Sequence, residues 1–230
     1  MKLTLVGLPL GNIEDITLRA IKTLDQADLI ICEDTRVFHK LWQKLLNTKN
    51  LSHPFTGQLR VINEFNERDR IKNLVEEIKK ASNAILVSDA GMPSFSDPGF
   101  HLLNEVIAQG GELDVIPGAT AATTALTLSG LSSDRVLFLG FLPKKNAKRE
   151  KLWQTIKNLD TDLTFILYES PYRVTKTLKE VQEKLGDLSC VVARELTKEH
   201  QQVMRGSITE VLKNLNSNNL KGEFVLLFRS

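Results

Sequence analysis

Short apolar runs alternate with amphipathic helical segments throughout the first half of this chain. Residues 84–87 are typical of these runs, because four apolar residues are followed at once by Ser88 and Asp89. A strand that is apolar on both faces is typical of a parallel sheet covered by helices on each side. The first half of the chain therefore predicts an α/β fold with a mainly parallel sheet.

The alternation continues to the end of the chain, with a break in the pattern at Pro117 and Gly118. Strands are predicted at 3–6, 29–32, 61–62, 85–87, 113–116, 136–139, 164–167, 190–193 and 224–228. Helices are predicted at 13–27, 37–46, around 71–78, and at 100–108, 119–128, 145–159, 171–185 and 208–215. We predict two α/β domains: 1–116, with a mainly parallel sheet and flanking helices, and 117–230, with a mixed sheet.

Two of the predicted helices carry recognisable start signals. Asp97 precedes Pro98, and Ser170 precedes Pro171. An acid or a hydroxyl at the N-cap followed by proline at the first helical position is a favoured helix start. We expect Asp97 and Ser170 to be N-caps.

Polar clusters rich in glycine, proline, acids and arginine follow most of the predicted strands. These clusters lie at 7–12, 33–36, 89–99, 117–121, 140–143, 168–173 and 194–198. Open α/β sheets bind small molecules at the carboxyl ends of their strands. The clusters predict a binding site on one edge, or in a cleft between two sheets. The alternative is that they are ordinary polar loops.

Composition excludes several classes of protein. The 230 residues are 42% hydrophobic, yet no stretch approaches the roughly 18 uninterrupted apolar residues of a membrane span. The start of the chain reaches Gly7 and Pro9 too early for a signal peptide. Cys32 and Cys190 lie in separate apolar runs, which favours buried thiols in a reducing cytoplasm. The net charge of +2 means that only a local cluster could bind nucleic acid.

Several chemistries lack their sequence motifs. Residues 7–12 do not contain the three glycines of the dinucleotide fingerprint, and no Gly-Lys-Ser/Thr phosphate loop is present. The histidines and cysteines lack metal-ligand spacing, and there is no nucleophile elbow. The sequence predicts a reaction without a metal or a covalent enzyme intermediate. Group transfer from a bound donor fits best.

Six motifs, in order along the chain, resemble those of one known family. They are 9–17 (PLGNIEDIT), 33–36 (EDTR), 88–91 with 96–99 (SDAG and SDPG), 140–143 (GFLP), 168–171 (YESP) and 194–198 (RELTK). The chain resembles the 16S ribosomal RNA cytidine-2′-O-methyltransferases, a branch of the tetrapyrrole-methylase-like enzymes that use S-adenosylmethionine. The resemblance implies two α/β domains with the donor in the cleft between them, and a homodimer.

The resemblance also places the methyl donor. The implied donor-binding residues are Leu8, Pro9, Ser88, Asp89, Ala90, Gly91, Met92, Pro93, Thr120, Ala121, Tyr168 and Ala193. An acid such as Asp89 at a strand end can accept hydrogen bonds from a ribose or an amino group. Amides at the start of the helix after residue 119 can hold the donor's carboxylate. The other interpretation is that Thr120 and Ala121 only begin the helix and do not bind the donor.

Acids and arginines in the motifs are the candidate catalytic residues: Asp34, Arg36, Glu169 and Glu195. The acids would contact the ribose hydroxyl, and Arg36 and Arg194 would hold phosphates. Alternatively, Asp34 is an N-cap, and the two glutamates form buried ion pairs with Arg173 and Arg194. Those alternatives remain open at this point.

Five cations within eight residues favour RNA as the substrate. They are Lys144, Lys145, Lys148, Arg149 and Lys151. Such a cluster attracts phosphates, although a solvated helix face is the other interpretation. With Arg36 and Arg194, the residues 144, 145, 148 and 149 form the predicted RNA-binding set.

The implied function is methylation of a cytidine ribose in the decoding region of small-subunit ribosomal RNA. The expected partners are 16S ribosomal RNA or the 30S subunit and a second copy of the chain, with neither membrane nor metal, in the cytoplasm. The alternatives are a tetrapyrrole methylase of the same fold and a non-catalytic nucleotide- or RNA-binding module. The chain departs from the family pattern at Met92, Asn63, Phe65 and Tyr172. The histidines that are common in the family at 63, 65 and 172 are absent, which argues against an imidazole there as the base.

Overall fold

The computed structural model describes residues 1–48, 50–159, 162–216 and 220–229. The chain divides into two compact units, which we call unit 1 (Met1–Thr120) and unit 2 (Ala121–Ser230). The boundary predicted after Ile116 stays a prediction. No helix in the described ranges is long and apolar enough to cross a membrane.

Unit 1 contains a five-stranded parallel sheet. Its strands are β1 (Lys2–Val6), β2 (Leu29–Cys32), β3 (Gln58–Val61), β4 (Ala84–Leu86) and β5 (Glu112–Ile116). The strand order is β3-β2-β4-β1-β5, and every neighbouring pair is parallel. The carboxyl ends of all five strands therefore lie on one edge, as the sequence predicts for this half.

Helices cover both faces of this sheet. They are α1 (Leu18–Asp25), α2 (Thr35–Asn47), α3 (Glu67–Lys80) and α4 (Phe100–Ala108), preceded by one 3₁₀ turn (Ile13–Asp15). Leu24 of α1 and Trp42 of α2 share a buried cluster with Ile30, whereas Leu74 of α3 and Leu102 of α4 pack on the opposite face. Successive side chains of a strand point to opposite faces, so each apolar strand joins two cores.

The predicted helix at 13–27 is wrong, because the segment is divided in two. The 3₁₀ turn ends at Ile16 in extended backbone, and α1 begins after Thr17. The Thr17 hydroxyl accepts the Ala20 N–H at 3.0 Å. Thr17 is therefore the N-cap of a shorter helix.

The predicted N-cap of α4 is also wrong. Gly99, and not Asp97, precedes the helix, so Pro98 lies outside it. Glu67 of α3 supplies the cap: its buried Oε1 accepts the N–H groups of Gly99, His101 and Leu102 at 3.2, 2.9 and 3.2 Å. A carboxylate at a helix N-terminus satisfies free amides and complements the helix dipole.

Unit 2 contains a five-stranded mixed sheet. Its strands are β6 (Val136–Phe141), β7 (Thr164–Glu169), β8 (Ser189–Arg194), β9 (Gln202–Ser207) and β10 (Phe224–Arg229), in the order β6-β7-β10-β8-β9. β6 and β7 are parallel, and the other neighbours are antiparallel. The mixed sheet confirms the fold prediction. The sequence analysis missed β9, which carries three polar residues and a glycine.

The helices of unit 2 are α5 (Ala121–Ser129), α6 (Asn146–Lys157), α7 (Val174–Leu185) and α8 (Ile208–Asn214). α5 packs on one face of the sheet, and α6, α7 and α8 pack on the other. The predicted start of α7 is wrong: Arg173 is its N-cap. The Ser170 carbonyl instead accepts the N–H groups of Arg173 and Val174, which makes residues 170–173 a turn before the helix.

Candidate active site

The loops after β1 and β4 are joined to each other at the carboxyl edge of unit 1. Leu8 N–H donates to the Gly91 carbonyl at 2.8 Å, and Gly91 N–H donates to the Leu8 carbonyl at 3.1 Å. The buried Ser88 hydroxyl donates to the Ala90 carbonyl at 3.0 Å. These two loops contain eight of the predicted donor-binding residues: Leu8, Pro9, Ser88, Asp89, Ala90, Gly91, Met92 and Pro93.

Two glycines let a third loop approach this edge. A Cβ added to Gly7 would lie 2.7 Å from the Gly118 Cα and 2.6 Å from the Met92 sulfur. The Gly118 N–H donates to that sulfur at 3.2 Å. The loop after β5 is thereby held against the loops after β1 and β4. Met92, a departure from the family pattern, has a defined packing role in the structure.

The loop after β4 has an unusual backbone. Ser94 and Ser96 have φ values of 63° and 69°, and Gly99 has a φ of 125°. Residues other than glycine rarely adopt positive φ, and such strain is concentrated at functional sites. The strained conformation is therefore consistent with a binding loop.

Glu33 and Asp89 connect the ends of β2 and β4. Glu33 Oε1 accepts the Asp89 N–H at 3.1 Å. Burial is the main cause of the raised pKa of Glu33, and the Asp89 charge adds to it. The pKa of Asp89 is also raised, chiefly by loss of surrounding water and further by the Asp34 carboxylate. The sequence analysis did not select Glu33, although it opens the motif at 33–36.

Asp34 and Arg36 form an ion pair at the start of α2. Asp34 is the N-cap of this helix and accepts the Arg36 N–H at 2.8 Å. The Arg36 guanidinium lies 2.6 Å from the Asp34 carboxylate and lowers its pKa to about 2. In the structure Asp34 is therefore a helix N-cap, which was the alternative to a catalytic role. The Arg36 side chain is 85% exposed and can still reach an external anion.

In unit 2, two predicted donor residues lie in one row of the sheet. Tyr168 of β7 and Ala193 of β8 are both register partners of Val225 on β10. The Tyr168 hydroxyl accepts the Ala122 N–H at 3.1 Å, which ties β7 to the start of α5. Ala121 and Tyr168 both pack against the buried apolar cluster between α5 and the sheet of unit 2. Thr120 is the last residue of unit 1. The Ala122 amide is thus engaged within the unit, whereas we expected the amides there to hold the donor.

Glu169 lies in the next row, with its carboxylate buried. Its oxygens accept from the Ser170 N–H at 2.8 Å and the Thr177 hydroxyl at 2.7 Å, and they pair with Arg173 at 2.7 Å. The residue is only 3% exposed. The structure gives Glu169 the buried ion pair that was the alternative to a catalytic role.

Glu195 also has intramolecular partners. Its Oε1 accepts from Lys198 Nζ at 3.0 Å and from the Glu223 N–H at 2.9 Å. Burial acts to raise the pKa of Glu195, but these two contacts outweigh it and the net pKa is lowered. The ion pair with Arg194, which was the alternative to a catalytic role, is replaced by one with Lys198. Arg194 instead donates to the carbonyls of Lys221 and His200.

The predicted cation cluster is exposed, with one exception. Lys144, Lys145 and Lys148 are exposed at the start of α6. Arg149 is 6% exposed and pairs with Glu180, which also accepts the Trp153 indole N–H at 2.6 Å. Arg149 is therefore a packing residue of unit 2, and its prediction as an RNA-binding residue is wrong.

The described residues form neither a metal-binding group nor a reactive thiol. No group of three His, Cys, Asp or Glu residues there is placed to hold a metal ion. Burial raises the pKa of Cys32 and of Cys190 to about 12 each. Because the thiolate is the nucleophile, both cysteines are inert at neutral pH.

Comparison with known families identifies the chain. The model of the Tetrapyrrole (Corrin/Porphyrin) Methylases matches residues 2–212. The chain belongs to this family. Methyl transfer is the chemistry of the tetrapyrrole methylase family, so the chain is a methyltransferase and S-adenosylmethionine is its donor.

Curated relatives of the chain share one name within the tetrapyrrole methylase family. The ribosomal RNA small subunit methyltransferase I of Thermotoga maritima is 39% identical over 98% of this chain and 97% of its own length. The protein of the same name from Bacillus subtilis is 38% identical over 98% of this chain and 74% of its own length. These matches confirm the family resemblance that the motifs indicate.

Solved structures show the same fold at low identity. A cobalt precorrin-4 methyltransferase has a TM-score of 0.71 at 18% identity, covering 99% of this chain and 94% of that one. A uroporphyrin-III C-methyltransferase from Thermus thermophilus, complexed with S-adenosyl homocysteine, has a TM-score of 0.67 at 16% identity, covering 99% and 97%. These likenesses confirm the two α/β domains of the tetrapyrrole methylase fold.

The residues at the carboxyl edge of unit 1 fit S-adenosylmethionine. Asp89 presents a carboxylate at the carboxyl edge and has no ion pair within the ranges that the structure describes. Beside it lies the backbone bridge of Leu8 and Gly91. A carboxylate next to an apolar loop suits the hydroxyl groups and the ammonium of S-adenosylmethionine.

Proposed function

We propose that this protein methylates the ribose 2′-hydroxyl of a cytidine in the 16S ribosomal RNA of the small ribosomal subunit. The observation that carries the proposal is the similarity, over nearly the whole chain, to proteins named ribosomal RNA small subunit methyltransferase I. The exposed lysines at the start of α6 support an RNA substrate, because the chain as a whole is nearly neutral.

The donor would be held by the strand-end loops. The proposed contacts are Leu8, Pro9, Ser88, Asp89, Ala90, Gly91, Met92, Pro93 and Thr120 in unit 1, and Ala121, Tyr168 and Ala193 in unit 2. Asp89 would accept hydrogen bonds from the donor. The bridge of Leu8 with Gly91 keeps the loops in the shape that receives it.

Positioning accounts for most of the proposed catalysis. When bound, S-adenosylmethionine would supply the methyl group: the ribose oxygen would bond to the methyl carbon as the bond from that carbon to sulfur breaks, and S-adenosyl homocysteine would leave. Holding two reactants in register contributes about 7–11 kcal/mol, whereas a general base contributes about 10²–10⁴-fold, or roughly 3–5 kcal/mol. The loops of unit 1, which backbone hydrogen bonds join to each other, would therefore contribute mainly by positioning the donor.

The proton acceptor would be an acid whose pKa is not depressed. Asp34 and Glu195 both have a lowered pKa, and Glu169 is buried in an ion pair. Glu33 and Asp89 have a raised pKa, which brings their basicity closer to that needed at neutral pH. Because Asp89 is assigned to the donor, we favour Glu33 over the catalytic acids selected from the sequence.

The RNA would be held by cations outside the donor loops. Lys144, Lys145 and Lys148 are exposed, and Arg36 reaches into solvent. Arg194 would contribute only if it released its two carbonyl partners. We further propose that the protein is a cytoplasmic homodimer that acts without metal on ribosomal RNA or on the 30S subunit.

Mass mapping of 16S ribosomal RNA tests the proposed function. RNA from cells lacking the protein should lose one 2′-O-methyl group on a cytidine, and purified protein with S-adenosylmethionine should restore it on isolated 30S subunits or on free RNA. Protein supplied with S-adenosyl homocysteine is the matched control. An unchanged methylation pattern contradicts the proposal, and methyl transfer to uroporphyrinogen instead would support a tetrapyrrole substrate.

A further inference from the structure

A small cavity lies between the loop after β1 and helix α2. Its volume is about 200 Å³. Its lining includes the apolar residues Leu8, Pro9, Val37 and Leu41 and two lysines of α2, Lys40 and Lys44. The cavity is smaller than the 300–1,000 Å³ of pockets for drug-sized ligands. Because a cavity of about 150 Å³ can hold one benzene ring, this one can hold at least one ring system.

The cations beside this cavity form a row along α2. Arg36, Lys40 and Lys44 are spaced four residues apart, so they lie on one face of the helix at intervals of about 6 Å along its axis. Both lysines are exposed, and neither forms an ion pair with any residue that the structure describes. Three cations in a row suit successive phosphates of an extended polyanion.

The row of cations begins at the proposed reaction centre. Arg36 pairs with Asp34, whose charge also acts on Asp89. Asp89 in turn lines the same cavity as Lys40 and Lys44. A chain of phosphates bound along α2 would therefore lead directly to the loop that is proposed to hold the methyl donor.

We propose that the cavity and the row of cations on α2 bind single-stranded RNA next to the target nucleotide. A neighbouring base lies against the apolar side chains of Val37 and Leu41, and Lys40 and Lys44 bind its flanking phosphates. Single-stranded RNA is recognised in this way, by apolar or aromatic surfaces for unstacked bases and by cations for the backbone. The inference rests on the proposed function and adds an RNA contact in unit 1 that the sequence analysis did not select.

Binding of a fluorescent single-stranded RNA oligonucleotide of 16S sequence, measured at several salt concentrations, tests the inference. We expect the double variant Lys40→Ala/Lys44→Ala to bind at least about tenfold more weakly at low salt. Its slope of log affinity against log salt should be shallower by about 1.4, since each single-strand phosphate contact contributes about 0.7. Lys72→Ala, an exposed lysine on α3 over the opposite face of the sheet, should change neither quantity.

Two further measurements separate the possible outcomes. Lys40→Arg/Lys44→Arg should retain the wild-type slope, because it keeps both charges. Calorimetry with S-adenosyl homocysteine should give the same affinity for the alanine variant and the wild type. An unchanged RNA slope overturns the inference, and a loss of S-adenosyl homocysteine affinity would assign the cavity to the donor. If the wild type methylates 30S subunits while the slope is unchanged, the proposed function stands and only the cavity assignment fails.

Discussion

At the scale of single residues, chemically similar carboxylate side chains have different functions in this protein. Asp34 caps α2, Glu169 joins a turn to α7, and Glu67 caps a helix distant from it in the chain. Glu33 and Asp89 have a raised pKa at the edge that carries the donor loops. Partners within hydrogen-bonding distance decide which acids remain available for chemistry.

Asp89 should be the acid on which donor binding depends most. We expect Asp89→Ala to weaken S-adenosylmethionine binding about 10- to 100-fold, since a hydrogen bond to a charged group is worth about 1.5–3 kcal/mol. Isothermal titration calorimetry of the purified variants measures this. Lys145→Ala, at an exposed position before α6, is the control and should bind the donor nearly as the wild type does. A larger loss for Lys145→Ala than for Asp89→Ala would refute the placement of the donor.

At the scale of elements, the loops after β1, β4 and β5 form one assembly. Paired backbone hydrogen bonds join Leu8 to Gly91, and the close approach of Gly7 to Gly118 brings in the third loop. The close contacts between Gly7 and Gly118 join backbone atoms. A Cβ atom at either position therefore could not be accommodated by the movement of a side chain alone. The shape of the proposed donor site therefore depends on the absence of two Cβ atoms.

Gly7→Ala should damage both stability and donor binding. The new methyl group would lie 2.7 Å from the Gly118 backbone, and overpacking of this kind costs about 1–3 kcal/mol. Urea unfolding measures the stability, and calorimetry measures the donor affinity.

Gly110→Ala is the comparison for this prediction. Gly110 has a φ of 72° and no heavy atom within 4 Å of the added Cβ, so its substitution strains the backbone without a collision. Stability should fall while donor affinity is retained. If Gly7→Ala also retains full donor affinity, the three loops do not act together.

At the scale of the whole molecule, two sheets of different construction each gather predicted site residues at strand ends. In unit 1 the parallel strands place their loops on one edge, and in unit 2 the register of β7, β10 and β8 aligns Tyr168 with Ala193. That the donor binds between the two domains stays a prediction.

The protein should be a homodimer in solution. Large apolar side chains of α4 and β5, among them Phe100, Ile107 and Val115, are 65%, 57% and 48% exposed, and burial of such residues favours association. Sedimentation equilibrium should give a mass of about twice the 25.8 kDa of one chain. A mass of one chain throughout the micromolar range would contradict the dimer.

Much of the fold could be predicted because it follows from local pattern. The apolar runs that became β2 and β4 are apolar on both faces, and the amphipathic spacing of α4 required no tertiary information. The strand β9 was missed because Gln202–Ser207 has no apolar alternation and depends on pairing with β8.

The sequence by itself determined the alternation of strands and helices, the polar strand ends and the family, because periodicity and short motifs are properties of neighbouring residues. Only the tertiary structure decided that Glu67 rather than Asp97 caps α4 and that Arg149 is buried against Glu180. It also placed Lys40 and Lys44 at a cavity. Such contacts join residues far apart in the chain, and their energies depend on distance and burial, which no local pattern records.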